Sequence, residues 1–499
     1  MKKLTASLIL ISLIASLASC GAQESGTEST TAPTDISTDT TAEETTSQFV
    51  PDDLPDDLDL GGKTVGIMIG DYFNAFLDDM YSPEETGNRL SDAVYRTSKS
   101  VQERLNVVLD YNYQTYAWSE MAGFQSKIIS GILAGDAGFD ILFDVQNYSA
   151  QMQEGEYFAN FADVGNISLE KPWYNQTVLE NMPDDYIYFL SGQFSLANVK
   201  SAFAMYFNAD LYSSLGLTED LYALVDDGKW TIDKLDELTK NTYSDLNGDT
   251  KADASDRYGV TFGDMNKYLG FIKAFDIDMF RKTSSGYEFA YDSERASDAV
   301  SKLCQFINDN ENTQVAFGND DTHPEYQIST GGGNYASKIF TEGRALFSFG
   351  LIADAATIVP SIDFSYGLLP YPKWDETQEN YGTMLQRSCY ALIPVTVEDK
   401  DAAGAVLEAL SSESYRTLVP EYCEVSLKTR YSQDDNVARM FDLIINSIVY
   451  DPGEIYASLL GTPSGDIKGA IVDNKPNWAS AIAKKKNSLI EKMNKITEE

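Results

Sequence analysis

Apolar runs and amphipathic stretches alternate along the first part of the chain. The apolar runs have the length of buried strands, and the stretches between them place apolar side chains three and four positions apart, as one face of a helix requires. Gly135 follows the second such stretch, where a glycine commonly ends a helix. The predicted elements are strands at residues 63–70, 107–113 and 139–145 and helices at residues 88–105 and 124–134. This order predicts an α/β fold with a parallel, doubly wound sheet and right-handed crossovers.

A second set of α/β signals runs from about Tyr206 to Leu369, with helices predicted at Ile232–Thr242 and Ser293–Asn308. The final segment, Pro476–Ile496, carries apolar residues on one side and three consecutive lysines on another. This pattern fits either a helix on a membrane surface or a terminal helix that packs against the folded body. The acidity of the chain favours packing against the body.

The first twenty residues have the pattern of an export signal. Lys2 and Lys3 precede an apolar stretch from Leu8 to Leu17, which is too short to span a membrane. The stretch ends in Leu17-Ala18-Ser19-Cys20, which resembles the lipobox of bacterial lipoproteins. We therefore expect residues 1–19 to be a signal peptide and Cys20 to be acylated, with an ordinary secretory leader as the alternative.

Residues 20–60 are rich in threonine, serine and acidic residues and show no apolar periodicity. Such a segment cannot bury enough apolar surface to offset the entropy lost on ordering. We interpret it as a lipid-anchored disordered stalk, whose root-mean-square reach is roughly 35 Å for about 40 residues. No later segment approaches about 18 uninterrupted apolar residues, so the chain is expected to be tethered to the membrane rather than to span it.

The charge balance excludes several classes of function. Lys and Arg total 37 against 77 Asp and Glu, a net charge of −40, which disfavours binding to phosphate backbones of nucleic acids. The single histidine, His323, excludes a His-rich zinc centre and leaves only one base for Ser-His or Cys-His catalysis. Paired carboxylates of a glycoside hydrolase cannot be recognised among so many acids, so a secreted carbohydrate-active enzyme stays an alternative.

Three cysteines remain after Cys20. Because Cys304, Cys389 and Cys423 are odd in number, they allow either three free thiols or one disulfide, for which Cys389 with Cys423 is our choice. Cys304 lies one position from the apolar face of a predicted helix, where it would be a small residue at the edge of the core.

The ends of the predicted strands indicate where a ligand would bind, because open α/β sheets bind ligands beyond the carboxyl ends of their strands. Residues 71–74, 114–118 and 146–148 each combine aromatic residues with amides or a carboxylate. An aromatic ring stacks on the apolar face of a sugar, and amide and carboxylate groups bond its hydroxyls. The three segments together predict a carbohydrate site, although any one of these residues could equally be an ordinary loop residue.

Twelve residues, Asp245–Asp256, place oxygen ligands at positions 1, 3, 5, 9 and 12 and a backbone carbonyl at position 7, a spacing similar to that of EF-hand and dockerin calcium loops. The glycine stands at position 4 instead of 6, and position 12 is Asp instead of Glu. A structural Ca²⁺ is therefore one interpretation and a solvated acidic turn the other; no cofactor is required. The candidate ligands are Asp245, Asn247, Asp249, Lys251 (through its carbonyl), Asp253 and Asp256.

Segments along most of residues 61–430 resemble the extracellular solute-binding proteins of family 1, the binding lipoproteins of sugar-type ABC importers. No single motif is specific, but their order and spacing together are. The matching segments are ISGILAGDAGFDILFDV at 129–145, the Tyr-containing loop Tyr148–Gln153, MYFNADLYSSLG at 205–216, Trp230–Thr242, FTEGRALFSFG at 340–350 and FSYGLLPYP at 364–372.

This resemblance implies a two-lobed, periplasmic-binding-protein-like fold of type II, with hinge crossings at Tyr188–Phe194 and Tyr371–Tyr381. The implied lobes are residues 61–192 with 377–430, and residues 193–376 with 431–499. The residues nominated to line the cleft are Tyr72, Asp144, Gln146, Asn147, Phe194, Tyr268, Phe349, Trp374 and Arg387. Trp173 and Trp230 are expected to be structural anchors.

The resemblance also implies a function without catalysis. The protein would capture a sugar, most simply an uncharged oligosaccharide, between its lobes on the outer face of the bacterial membrane. It would then deliver the sugar to the permease subunits of an ABC importer, acting as a monomer. The alternative is a secreted enzyme or a sugar sensor without a transport role on the same fold.

Overall fold

The structure is a computed structural model that describes residues 50–72, 74–146, 157–183, 186–314, 335–426 and 435–498. Its strands form two five-stranded sheets and one hairpin. In chain order the strands are β1 Lys63–Tyr72, β2 Val107–Tyr116, β3 Ile141–Val145, β4 Leu190–Ser191, β5 Phe203–Asn208, β6 Tyr258–Phe262, β7 Phe280–Thr283, β8 Gly286–Phe289, β9 Thr313–Gln314, β10 Ala345–Leu351, β11 Tyr366–Leu369 and β12 Cys389–Leu392.

The helices surround the two large sheets. In the first half of the chain they are Leu77–Met80, Arg89–Leu105, Met121–Leu133, Gln176–Asn181, Ala197–Lys200, Ala209–Ser214, Leu221–Asp226, Ile232–Thr239 and Gly270–Ala274. In the second half they are Glu294–Asn308, Tyr335–Thr341, Ala355–Ile358, Lys400–Glu413, Val419–Ser426, Asp435–Asn446, Pro452–Ile455, Ala457–Leu460, Ser464–Val472, Trp478–Ala483 and Lys486–Glu498. Short 3-10 turns lie at Trp118–Glu120, Phe161–Asp163, Met265–Leu269, Ile352–Asp354 and Val359–Ser361, and a π-helical turn lies at Ser414–Leu418.

The first sheet has the strand order β2-β1-β3-β12-β4. Strand β1 pairs in parallel with both β2 and β3, so the predicted parallel arrangement of the first three strands is confirmed. Strand β12 pairs antiparallel with β3 on one side and with β4 on the other. All five residues of β3 are buried, which is why its sequence is apolar at every position except Asp144 instead of alternating.

Local signals in the sequence fix the helix boundaries. The Asn88 side chain accepts hydrogen bonds from the backbone N–H groups of Leu90 and Ser91 and so caps the helix Arg89–Leu105. That helix ends at Asn106, which has a left-handed backbone conformation with φ of 46°. Ser293 caps the helix Glu294–Asn308 through the N–H of Ala296.

The second sheet has the strand order β11-β5-β10-β6-β9. Strand β10 pairs in parallel with β6 and antiparallel with β5, which pairs antiparallel with β11. Each large sheet, with its helices, forms one lobe. The predicted two-lobed α/β fold is therefore confirmed, whereas the exact lobe boundaries stay predictions.

The chain passes between the lobes in segments that the strand positions define. One passage joins β4 of the first sheet to β5 of the second, and another joins β11 of the second sheet to β12 of the first. The helix Val419–Ser426 contacts the helix Arg89–Leu105 of the first lobe, whereas the helix Asp435–Asn446 packs on β11 of the second.

A buried ion cluster anchors the segment that follows the helix Asp435–Asn446. The Lys273 ammonium pairs with Asp451 and lies 2.9 Å from Oδ1 of Asp278. Burial alone would lower the pKa of Lys273, but the two carboxylates raise it above its ordinary value. Next to this cluster, burial and the charge of Asp451 raise the pKa of Glu454 to about 8.

The C-terminal helices pack against the second lobe, as the acidity of the chain led us to expect. Trp478 is buried, and its indole N–H donates to the carbonyl of Tyr291 at 2.9 Å. Leu489 and Met493 are also buried on the inner face of the last helix. Within the ranges that the structure describes, no helix is both long enough and apolar enough to cross a bilayer.

Candidate functional site

The first-lobe side of the cleft is formed where β1, β2 and β3 end. Asp71 is buried there, and its carboxylate accepts hydrogen bonds from the N–H groups of Phe76 and Leu77 and from the hydroxyl of Thr115. Asp71 therefore holds the loop after β1 in place. Tyr72, the next residue, is half-buried, and its ring centre lies 5.6 Å from that of Tyr116 at the end of β2.

Asp144 lies beneath these rings and not in the cleft, so its nomination as a cleft residue is wrong. It is fully buried, and its Oδ1 accepts hydrogen bonds from the Tyr116 hydroxyl and from the N–H of Val145. Its Oδ2 is buried without a hydrogen-bond partner. Burial raises the pKa of Asp144 to about 7, although both hydrogen bonds oppose this effect.

A glycine makes room for this buried carboxyl group. A Cβ atom on Gly70 of β1 would lie 2.5 Å from Oδ1 of Asp144 and 3.0 Å from Phe124, so a larger residue at position 70 would displace Asp144 or Phe124. Because Tyr116 in turn contacts Tyr72, the buried pair of Asp144 and Tyr116 supports the aromatic surface at the strand ends.

Gln146 connects the first sheet to a segment near the second lobe. Its side chain is mostly buried and donates from Nε2 to the carbonyl of Glu454 at 2.8 Å, while its N–H donates to the carbonyl of Ser388. These bonds give Gln146 a bridging role in this structure. Asn147, the other candidate after β3, lies outside the described residues.

Arg387 lies on the passage from β11 to β12, two residues before the start of β12. Its side chain is exposed, and the guanidinium carbon lies 5.8 Å from the centre of the Tyr72 ring. The structure therefore brings together two of the nominated residues, Tyr72 and Arg387, at the carboxyl edge of the first sheet.

Gln386, the residue before Arg387, contacts the second lobe. Its N–H donates to the carbonyl of Ser201, and its Oε1 accepts a hydrogen bond of 3.0 Å from Nζ of Lys267. Lys267 lies in the 3-10 turn after β6 and is almost fully buried, with Oδ2 of Asp264 3.4 Å away. Gln386 and Lys267 were not found from the sequence. Recognition of YGVTF at 258–262 as a buried strand would have placed Asp264 and Lys267 beyond its carboxyl end.

Two nominated residues of the second lobe lie in its core and not in the cleft. Phe349 is fully buried in β10, where its ring stacks on Phe262 at 4.6 Å and meets Tyr371 edge-on at 4.6 Å. Tyr268 is buried beside Phe262 with ring centres 5.0 Å apart. Both nominations are therefore corrected, because central strands and the turns packed on them leave no ring surface for a ligand.

Phe194 and Trp374 also contact their own surroundings rather than the pair of Tyr72 and Arg387. Phe194 is buried with its ring centre 5.1 Å from that of Phe143, so it belongs to the core of the first lobe. Trp374 is half-buried, meets Phe275 edge-on at 5.3 Å and lies 4.8 Å from Nζ of Lys302. The anchors Trp173 and Trp230 are fully buried, as expected.

The Asp245–Asp256 loop is held by its own hydrogen bonds. The carboxylate of Asp245 accepts from the N–H groups of Gly248 and Thr250, and that of Asp256 accepts from the N–H groups of Leu246 and Asp253. In the part of the chain that the structure covers, no group of three or more His, Cys, Asp or Glu side chains is placed to hold a metal ion. Calcium binding by this loop stays a prediction.

Cys304, Cys389 and Cys423 are buried thiols that form no disulfide, so the predicted pairing of Cys389 with Cys423 is wrong. Cys389 begins β12 inside the first sheet, whereas Cys423 lies on the helix Val419–Ser426. Burial raises the pKa of the Cys389 thiol well above its ordinary value, which makes it inert.

Comparison with solved structures identifies the class of fold. The chain is similar to an extracellular solute-binding protein from Staphylococcus aureus in complex with maltose, with 13% identity, a TM-score of 0.55 and coverage of 89% of this chain and 99% of that one. It is also similar to maltose-bound MalE3 of T. maritima, with 13% identity, a TM-score of 0.51 and coverage of 86% and 99%. A third similar structure is the GacH receptor of Streptomyces glaucescens, determined unliganded and with acarbose, with 11% identity, a TM-score of 0.53 and coverage of 87% and 99%.

These similarities show that the chain has the two-lobed fold of ABC-transporter solute-binding proteins. No protein-family model and no curated protein matches the sequence.

Proposed function

We propose that this protein is a cell-surface binding lipoprotein of an ABC importer that captures a carbohydrate between its lobes and passes it unchanged to a membrane permease. The observation that carries the proposal is the cleft edge itself. There a half-buried aromatic ring, Tyr72, lies beside the exposed donors of Arg387, next to a contact between Gln386 and Lys267 that joins the two lobes. Rings that stack on sugars and donors that bond hydroxyls are the groups that a saccharide site needs.

The fold supports the same proposal, because similar structures contain maltose or acarbose. In such a fold, closure of the lobes buries the ligand, and the ligand shifts the balance between open and closed forms only through contacts made in the closed form. The permease would then recognise the closed form. Nothing in this cycle requires a bond of the sugar to break.

A thermal-shift screen against mono- and oligosaccharides tests the binding. A ligand present at 100 times its Kd adds about 2.7 kcal/mol of stability. For a folded body of about 450 residues this corresponds to a rise in Tm of roughly 3 °C. Recovery of the stabilising sugar unchanged, checked by mass spectrometry, supports binding without catalysis, whereas released reducing ends would indicate a hydrolase.

The membrane anchor is tested separately. We propose that Cys20 is acylated after removal of residues 1–19, on the basis of the sequence Leu17-Ala18-Ser19-Cys20. Labelling of cells with a radioactive fatty acid should mark the wild-type protein, and Cys20→Ser should abolish the label and release the protein into the medium. A Cys20→Ser variant that keeps the label would refute the anchor.

A further inference from the structure

Arg387 has an unusual environment for an arginine in so acidic a protein. Its side chain is exposed at the cleft edge, and its guanidinium carbon lies over the face of the Tyr72 ring, 5.8 Å from the ring centre. Across the residues that the structure describes, no carboxylate and no other hydrogen-bond acceptor pairs with its guanidinium group. The chain has 77 acidic residues against 37 basic ones, so such an arginine is unexpected by chance.

Every other arginine in the described ranges donates to at least one acceptor. Most pair with carboxylates, and the remaining two donate to backbone or amide oxygens. Arg89, Arg96, Arg104, Arg281, Arg344, Arg416 and Arg439 pair with Asp or Glu, Arg257 donates to the carbonyl of Thr242, and Arg295 donates to the carbonyl of Phe275 and to Gln378. Among the arginines that the structure describes, Arg387 is thus the one whose N–H donors are available to a ligand.

The backbone around Arg387 fixes where these donors lie. Cys389, two residues later, is the register partner of Val145, the last residue of β3. Gln386, one residue earlier, contacts Lys267 of the second lobe. Arg387 therefore lies at the carboxyl edge of the first sheet, next to the second lobe, where a bound solute would be enclosed.

A second cation, Lys267, lies near this point. Oδ2 of Asp264 lies 3.4 Å from the Lys267 ammonium group. The two acids of the adjoining strands are withdrawn from the cleft. Asp71 is buried and accepts three hydrogen bonds, and Asp144 is buried beneath Tyr116.

We propose that the ligand carries a carboxylate, as in an oligosaccharide with a hexuronic acid unit, and that Arg387 binds this carboxylate while Tyr72 holds the guanidinium plane. A planar guanidinium group presents parallel N–H donors that fit both oxygens of a carboxylate, and stacking on an aromatic ring limits its rotation. This inference rests on the proposed function and differs from the uncharged sugar that the sequence led us to expect.

The test uses the full-length mature protein and two trisaccharides that differ only at C6: galactotriose, with CH₂OH groups, and trigalacturonate, with carboxylates. Affinities are measured by isothermal titration calorimetry for the wild type, Arg387→Gln, Arg387→Lys and the control Arg439→Gln. The control removes the same charge from a surface pair with Asp226. Because the Arg387 guanidinium makes no hydrogen bond to any residue that the structure describes, Arg387→Gln should leave Tm unchanged.

We expect the wild type to bind trigalacturonate at least tenfold more tightly than galactotriose. Arg387→Gln should remove this preference, Arg387→Lys should restore part of it, and Arg439→Gln should keep it. Equal or tighter binding of the neutral trisaccharide, or an equal loss for both sugars in Arg387→Gln, would overturn the carboxylate proposal and leave the proposed function standing. Failure of every saccharide in the thermal-shift screen would overturn both.

Discussion

Replacement of Asp144 by Asn should make the protein more stable at neutral pH and leave it unchanged at low pH. In the folded protein Asp144 is fully buried, and desolvation raises its pKa from 3.8 to about 7. A raised pKa means that the folded state holds this proton more tightly than the unfolded state does. The contribution of Asp144 to the free energy of unfolding is therefore greatest below about pH 4 and falls as the pH rises to about 7, because the ionised carboxylate is not solvated in the folded protein.

The magnitude follows from the shift. Each pKa unit corresponds to about 1.4 kcal/mol, so the shift corresponds to a loss of about 4 kcal/mol between pH 4 and pH 8. Asparagine has the shape of the protonated acid and keeps an oxygen for the Tyr116 hydroxyl and the Val145 N–H. The variant should therefore lack this pH-dependent loss.

Differential scanning calorimetry from pH 4 to pH 8 measures the effect. With an unfolding entropy of about 2.1 cal/mol/K per residue, the Tm of Asp144→Asn should exceed that of the wild type by roughly 4 °C at pH 8 and match it at pH 4. Asp110→Asn, which removes a carboxylate from the exposed face of neighbouring β2, is the control. A difference that stays constant across this range would refute the reasoning.

Two further predictions concern charged groups. Lys273→Met should lower the free energy of unfolding by about 3–5 kcal/mol, because Asp451 would keep a buried charge without its cation. Adding Asp451→Asn should recover part of this loss. If chemical denaturation shows Lys273→Met to be as stable as the wild type, the burial of the pair is contradicted. Calcium titrated into chelator-treated protein should release heat, because the oxygen ligands of the Asp245–Asp256 loop have a spacing that suits Ca²⁺, and Asp245→Asn should abolish this heat. The absence of heat at millimolar calcium would show that the loop is closed by its own hydrogen bonds alone.

The sequence predicted those elements whose signals are local. Strand β3 was found because a strand buried on both faces has a mostly apolar sequence, and the helix Arg89–Leu105 was found from its periodicity. Strands β4 and β12 have two and four residues, and their places in the sheet depend on partners far away in the chain. No local pattern marks such strands, so the completion of the first sheet could not be predicted.

The sequence predicted the residue types at the strand ends better than it predicted which of their side chains face the cleft. Tyr72 and Arg387 do lie together, but Asp144 and Phe349, at positions equally close to strand ends, are buried. What decides between the two outcomes is packing from other elements, such as the space that Gly70 leaves for Asp144 and the rings that enclose Phe349. These contacts join residues distant in sequence, which a reading along the chain does not reveal.

The interior position of β12 has a consequence for how the protein is made and exported. Strand β12 lies between β3 and β4, yet the ribosome synthesises it only after all five strands of the second sheet. Until β12 arrives, β3 has an unpaired edge, which is a site for wrong pairing between chains. A nascent chain cut short before residue 389 would thus contain a complete second sheet beside an open first one, and we expect such fragments to aggregate or to require a chaperone during secretion.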